Sequence, residues 1–212
     1  MMYLSLMIKL LIFDLDNTLY DEYQYVLSGF KAVAKRLSLD KGLPTKQIFA
    51  FLKDSFYKDG RGKNFDALID HFSIISPTTK ELVETYRQHI PTINLYSQTV
   101  TVLQNLCQHY KLCILTNGLV PVQKLKIQSL CLKPYFDNFF FAQENGLEFQ
   151  KPHKQSFLRV LSYYDISPQQ ALMVGDDMEC DIIGARNVGI NTFFIKKPDD
   201  LLSLESYLKN TP

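Results

Sequence analysis

Residues 8–13 read IKLLIF and run straight into Asp14, and this short apolar run ending in a carboxylate constrains the fold more than any other stretch. A strand that is apolar at consecutive positions is buried on both faces, so its sheet needs cover on both sides. Later segments repeat the pattern. Residues 112–115 lead into Thr116-Asn117-Gly118, residues 171–174 into Gly175-Asp176-Asp177, and residues 191–195 (NTFFI) close the series. Residues 138–142 (NFFFA) add a fifth run. Helical periodicity fills the intervals at 97–109, 121–132, 154–164 and 178–188. Strands alternating with helices of this length form βαβ units, which predicts an α/β fold with a parallel sheet.

The stretch from about 21 to 93 breaks the rhythm. It shows helical periodicity at 22–39, 45–57, 65–72 and 79–89, with no buried-strand run among them. Turns rich in Gly and Pro separate the helices at 40–44 and 58–64, and Ser76-Pro77 precedes the last. The expected organisation is a Rossmann-like core of residues 1–19 and 95–212, carrying an inserted all-helical cap over 20–94.

Ligands of open parallel sheets bind at the carboxyl ends of the strands. Here those ends carry Asp14-Leu15-Asp16-Asn17-Thr18, Thr116-Asn117-Gly118 and Gly175-Asp176-Asp177, while Lys151-Pro152 follows the NFFFA run by a loop. Carboxylates gathered in one crevice repel one another unless a cation joins them, and an all-oxygen set points to a hard ion, Mg²⁺ by preference. With a hydroxyl and a lysine beside them, they make a receptor for a phosphoryl group. Each element alone reads equally well as a strand-to-helix turn, an N-cap or a solvated lysine. Their joint order along the chain is what argues against that reading.

The set resembles the haloacid dehalogenase superfamily of phosphatases over nearly the whole chain. Residues 14–18 match that family's DxDxT motif, Thr116 its second motif, Lys151 its third, and Gly175-Asp176 with Asp181 its GDxxxxD motif. The helical insertion is similar to the family's C1 cap. The segment from Gly146 to Lys151 is longer than the common G-x-x-K-P form. The resemblance implies Mg²⁺-dependent hydrolysis of a small phosphorylated metabolite, such as a nucleotide or sugar phosphate, with Asp14 as nucleophile and Asp16 as acid/base. It implies Mg²⁺ held by Asp14, the Asp16 backbone carbonyl and Asp176. Thr116 and the Asn117 amide would hold phosphoryl oxygens beside Lys151, with Asp177 and Asp181 supporting the metal waters or the lysine. Asp16 and Thr18 together favour phosphomonoesters over the haloacids and phosphonates of other members. A sugar phosphomutase, a 2-haloacid dehalogenase or a catalytically silent binding protein are the alternatives. Lys41, Arg61 and Lys63, in the Gly-bearing turns of the insertion, are the candidates for leaving-group recognition.

The remaining features exclude more than they assign. A formal charge of +1 argues against general affinity for nucleic acid or an anionic membrane, and no apolar run is long enough to span a bilayer. The N-terminal apolar stretch lacks a basic leader and a small-residue cleavage site, and reads as a loose extension before the first strand. Cys107, Cys113, Cys131 and Cys180 form no CxxC pair and read as free thiols of a reducing cytoplasm. His71, His89 and His109 lie in helical patterns as structural residues, while His153 is close enough in sequence to Lys151 to approach the crevice.

Overall fold

The computed structural model describes residues 7–210. Its strands are β1 (Leu10–Phe13), β2 (Lys111–Thr116), β3 (Asn138–Phe141), β4 (Ala171–Gly175) and β5 (Asn191–Phe194). They form one sheet in the order β3-β2-β1-β4-β5, parallel throughout. Phe13 sits level with Ile114 of β2 and Val174 of β4, so Asp14 follows β1 at the level of Leu115 and Gly175, near the carboxyl ends of both neighbours. The chain builds outward from β1 through β2 to β3, then returns to place β4 on the other side of β1. That reversal opens a crevice at the carboxyl ends of β1 and β4.

The α-helices are α1 (Glu22–Lys41), α2 (Thr45–Asp59), α3 (Asn64–His71), α4 (Thr79–Gln88), α5 (Thr99–Leu106), α6 (Val120–Ser129), α7 (Lys154–Tyr164), α8 (Gly184–Arg186) and α9 (Leu204–Asn210). Leu10 and Ile12 of β1 join one cluster with Cys113, Phe157 and Val160, the last two from α7. Leu11 and Phe13 point the other way by the strand's alternation and are equally buried, with Phe13 meeting Phe136 edge-on at 5.8 Å. Each such side chain contributes about 1.5–3 kcal/mol of burial. The double burial is why β1 reads as an unbroken apolar run.

The chain divides into two compact units, Met1–Asp21 with Asn94–Pro212 and Glu22–Ile93. The expected boundaries at 20 and 94 shift inward because Tyr20 is fully buried and commits its hydroxyl to Asp16, and Tyr96 N–H donates to the Leu19 carbonyl at 3.1 Å. In the helical unit, Val26, Phe30 and Val33 of α1 pack with Ile48 and Leu52 of α2, Leu68 of α3 and Leu82 of α4. Arg36 ties α1 to α4 by donating to Thr85 Oγ1 at 2.6 Å. α1 runs two residues further than its periodicity suggests and ends at Gly42, whose φ of +68° suits the left-handed helix stop.

Two expectations change form. The helix expected over 178–188 is a π-helical segment, Met178–Ile183, continuing into α8. Its wide turn is set where the Asp177 carbonyl accepts from Ile182 N–H at 3.2 Å as well as from Asp181 N–H at 3.0 Å. β1 starts two residues after its apolar run begins, and the expected extension over residues 1–6 lies outside the described residues. Among the described residues no helix is long and apolar enough to cross a membrane.

Candidate active site

Asp14 leaves β1 with its amide donating to the Val174 carbonyl of β4 at 2.9 Å, which pins it at the crevice. The turn that follows is tight. Asn17 takes φ of +58°, a conformation asparagine tolerates, and Leu19 N–H returns to the Leu15 carbonyl at 3.1 Å. The turn buries Thr18 completely, and its hydroxyl donates to Asp176 Oδ1 at 3.1 Å from the end of β4.

Lys151 occupies the centre. It is 3% exposed, and its Nζ lies 2.6 Å from Asp14 Oδ1 and 2.7 Å from Asp181 Oδ1. The long approach from Gly146 is taken up by a 3-10 turn, Leu147–Phe149, and the main chain of Lys151 is then clamped. Asn117 Nδ2 donates to the Lys151 carbonyl and Asn117 Oδ1 accepts from the Lys151 amide, both at 2.9 Å. The side chain of Asn117 therefore fixes the lysine, a role its motif position does not announce. Asp181 completes the arrangement by accepting from Asp177 N–H at 3.1 Å through Oδ2.

Carboxylate oxygens of Asp14, Asp176 and Asp181 lie within 4.8 Å of one another. Burial pushes Asp14 well above the usual carboxylate range; Lys151 opposes this, while Asp181 and Asp16 add repulsion. Asp176 is pushed up to about 6, again chiefly by burial, with the Thr18 hydrogen bond opposing. Burial works against the charge on Lys151, yet Asp14 and Asp181 outweigh it and raise its pKa. When ionised, three carboxylates against one ammonium leave two negative charges in a largely buried cluster whose anionic donors are all oxygen. That donor set fits a hard divalent cation.

The carboxylate of Asp16 is turned to other partners. It meets Lys126 Nζ at 2.7 and 2.9 Å, accepts from Gln123 Nε2 at 2.9 Å, and accepts from the Tyr20 hydroxyl. Gln123 also donates to Thr116 Oγ1 at 2.6 Å. Neither α6 residue is visible to motif reasoning, because a helical lysine normally reads as solvated. Their three-residue spacing, directly after the Thr116 turn, is the only signal they leave.

Other expected residues fall elsewhere. Asp177 caps the π-helical segment, accepting from Glu179 N–H at 2.9 Å and Cys180 N–H at 2.8 Å, and these amides hold its pKa down. His153 is an exposed N-cap of α7, with Nδ1 accepting from Gln155 N–H at 3.3 Å. In the helical unit Arg61 pairs with Glu22 at the start of α1, whereas Lys41 is the last residue of that helix. At 1.5 Å per residue these positions are about 28 Å apart, so the structure does not bring Lys41 and Arg61 together. Lys63 is exposed just before α3.

A family model for haloacid dehalogenase-like hydrolases matches residues 11–195, from the first strand to the last. The chain belongs to that family. Among the relatives of these hydrolases, a glyceraldehyde 3-phosphate phosphatase of Methanothermobacter thermautotrophicus is 27% identical over 204 residues, covering 89% of this chain and 86% of its own. A pyrophosphatase PpaX of Bacillus cereus is 27% identical, covering 87% and 82%. The crystal structure of a HAD phosphatase from Thermococcus onnurineus superposes with a TM-score of 0.62 at 25% identity, over 95% of this chain and 98% of that one.

Proposed function

We propose that this hydrolase is a Mg²⁺-dependent phosphatase of small phosphorylated metabolites that works through an aspartyl-phosphate on Asp14. The observation that carries the reading is the buried Asp14–Lys151–Asp181 chain, with Asp176 beside it. Phosphatase names among the relatives support the same class. Asp14, Asp176 and the backbone of Asp16 are the residues assigned to Mg²⁺, which when bound supplies positive charge that screens the approach of a carboxylate to a phosphate dianion.

Lys151 holds Asp14 Oδ1 and leaves Oδ2 to attack phosphorus in line. The bond from phosphorus to the leaving oxygen breaks, and Asp16 gives that oxygen its proton. Asp16 then takes a proton from water as the water oxygen attacks phosphorus, and the bond to Asp14 breaks to release phosphate. The Thr116 hydroxyl and Asn117 amide are assigned to the phosphoryl oxygens, with Lys151 neutralising charge that grows there. Arg61, Lys63 and Lys41 are assigned as candidates for the leaving group; since Arg61 pairs with Glu22 at the start of α1 and Lys41 ends that helix, one small leaving group meets only one of these two.

The test is phosphate release from a panel of phosphorylated metabolites, including triose and nucleotide phosphates, with Mg²⁺ and with EDTA. Turnover that collapses in EDTA and returns with Mg²⁺ is the expected result. Full activity in EDTA contradicts the metal assignment, and halide release from a 2-haloacid without phosphatase activity contradicts the reaction class. The same panel run on Arg61→Ala, Lys63→Ala and Lys41→Ala should show a loss of about 10-fold or more confined to the preferred ester if those residues read the leaving group.

A further inference from the structure

The contacts around Asp16 define a piece of machinery that the strand-end motifs leave out. Gln123 and Lys126 sit three residues apart on α6 and so share one helical face. They are 1% and 3% exposed, values unusual for these residue types, which are seldom buried without a partner of matching polarity. The partner of both is the Asp16 carboxylate. Lys126 Nζ contacts its two oxygens at 2.7 and 2.9 Å, a two-point grip that fixes the rotation of the carboxylate plane. Gln123 Nε2 donates one hydrogen to Asp16 Oδ2 at 2.9 Å and the other to Thr116 Oγ1 at 2.6 Å. The amide thereby links the residue assigned to proton transfer with the hydroxyl assigned to phosphate. Tyr20 donates to Asp16 Oδ1 from the opposite side of the turn.

We propose that Lys126 and Gln123 are positioning residues for Asp16, and that they fix the orientation of its carboxylate for proton transfer. This rests on the phosphatase reading above. The physical need is specific. Asp14, Asp176 and Asp181 already crowd the centre, so an untethered Asp16 side chain would settle among several staggered rotamers. A buried ammonium gripping both oxygens removes that freedom without entering the reaction. The proton transfer is assigned to Asp16 alone, which gives a proton to the leaving oxygen and later takes one from water. The Gln123 link to Thr116 ties the orientation of Asp16 to the hydroxyl assigned to the phosphoryl group, so the acid and the reacting phosphorus keep a common frame.

The experiment compares kcat/KM for an alkyl phosphate, whose leaving oxygen needs a proton, with that for p-nitrophenyl phosphate, whose leaving group departs without one. Because kcat/KM covers the steps up to loss of the leaving group, it isolates the half-reaction in which Asp16 acts as acid. Lys126→Met should lower kcat/KM for the alkyl ester by about 30-fold or more and for the aryl ester by about 3-fold or less, within the range expected for a misplaced general acid. Lys126→Arg, which keeps a cation able to grip two oxygens, should recover most of the loss. In an Asp16→Asn background, Lys126→Met should cost less than about 2-fold more, because both changes act through one group. Gln123→Leu should show the same ester preference, and it serves as the deciding variant if Lys126→Met does not melt cooperatively. Equal losses on both esters, additive losses with Asp16→Asn, or unchanged or faster turnover of the alkyl ester would each overturn the assignment. A wild-type protein that hydrolyses neither ester overturns the phosphatase reading and this inference with it.

Discussion

At Gly175 the main chain of β4 passes so close to Asp181 that a Cβ would lie 2.2 Å from the Asp181 Oδ2 atom. The glycine is therefore needed for space, so that a carboxylate six residues later can fold back onto Lys151 and the Asp177 amide. Gly175→Ala should displace Asp181 and leave Lys151 gripping Asp14 alone. A displacement of about 1 Å at such a site costs about 10²-fold in kcat. Steady-state rates beside a melting curve check this, and wild-type kcat in a folded Gly175→Ala protein would contradict it. Asp14, Asp16, Thr116 and Asp176 stood out in the sequence because each lies at or just beyond a buried-strand end, Lys151 stood a loop further on, and Asp181 was picked out only by the resemblance to the family's last motif. Gln123 and Lys126 were not, since nothing in a helical sequence marks which lysine turns inward. The side chain of Asn117 was likewise hidden, because its bonds to Lys151 join positions 34 residues apart.

The elements follow their patterns where burial alone shapes them and depart where a polar group intervenes. α7 matches its periodicity, with Phe157, Val160 and Leu161 facing the sheet. The segment after β4 does not, because the Asp177 carbonyl and carboxylate both collect amides and widen the turn beyond anything apolar spacing encodes. The end of α4 shows a similar polar exception. His89 packs against the rings of Tyr25 and Tyr86, with centroids at 5.1 and 6.0 Å, and its Nδ1 is 2.6 Å from the Tyr86 carbonyl. Its Nε2 is buried with no hydrogen-bond partner among the described residues, so the ring is accommodated neutral and burial holds its pKa below the ordinary 6.5. The unfolded chain then binds more protons than the native one as pH falls below that value. The stability held above about pH 6.5 is therefore lost progressively on acidification through the folded pKa. Melting temperatures at about pH 7.5 and about pH 5.5 should fall further in wild type than in His89→Gln, whose side chain does not titrate. Equal falls in both proteins would show that His89 carries none of the acid sensitivity.

On the scale of the molecule, one unit supplies every group assigned to the chemistry and the other is built wholly of helices. The alternation of buried runs with helical periods made the parallel sheet legible, and its interruption marked the insertion. Strand order was not legible, since five buried runs fit several arrangements and only pairing shows that β1 lies between β2 and β4. That placement brings Asp14 level with Leu115 of β2 and Gly175 of β4, close to the carboxylate of Asp176. The account stands or falls on Asp14 as the atom that takes the phosphoryl group. The most direct measurement mixes Asp16→Asn protein with Mg²⁺ and p-nitrophenyl phosphate, quenches in acid, and maps the phosphoryl group by peptide mass spectrometry. Without its base the variant should accumulate one phosphoryl group on the peptide containing Asp14, and Asp14→Asn should accumulate none. A phosphoryl group on any other residue, or nitrophenol release by Asp14→Asn at the rate of wild type, would contradict it.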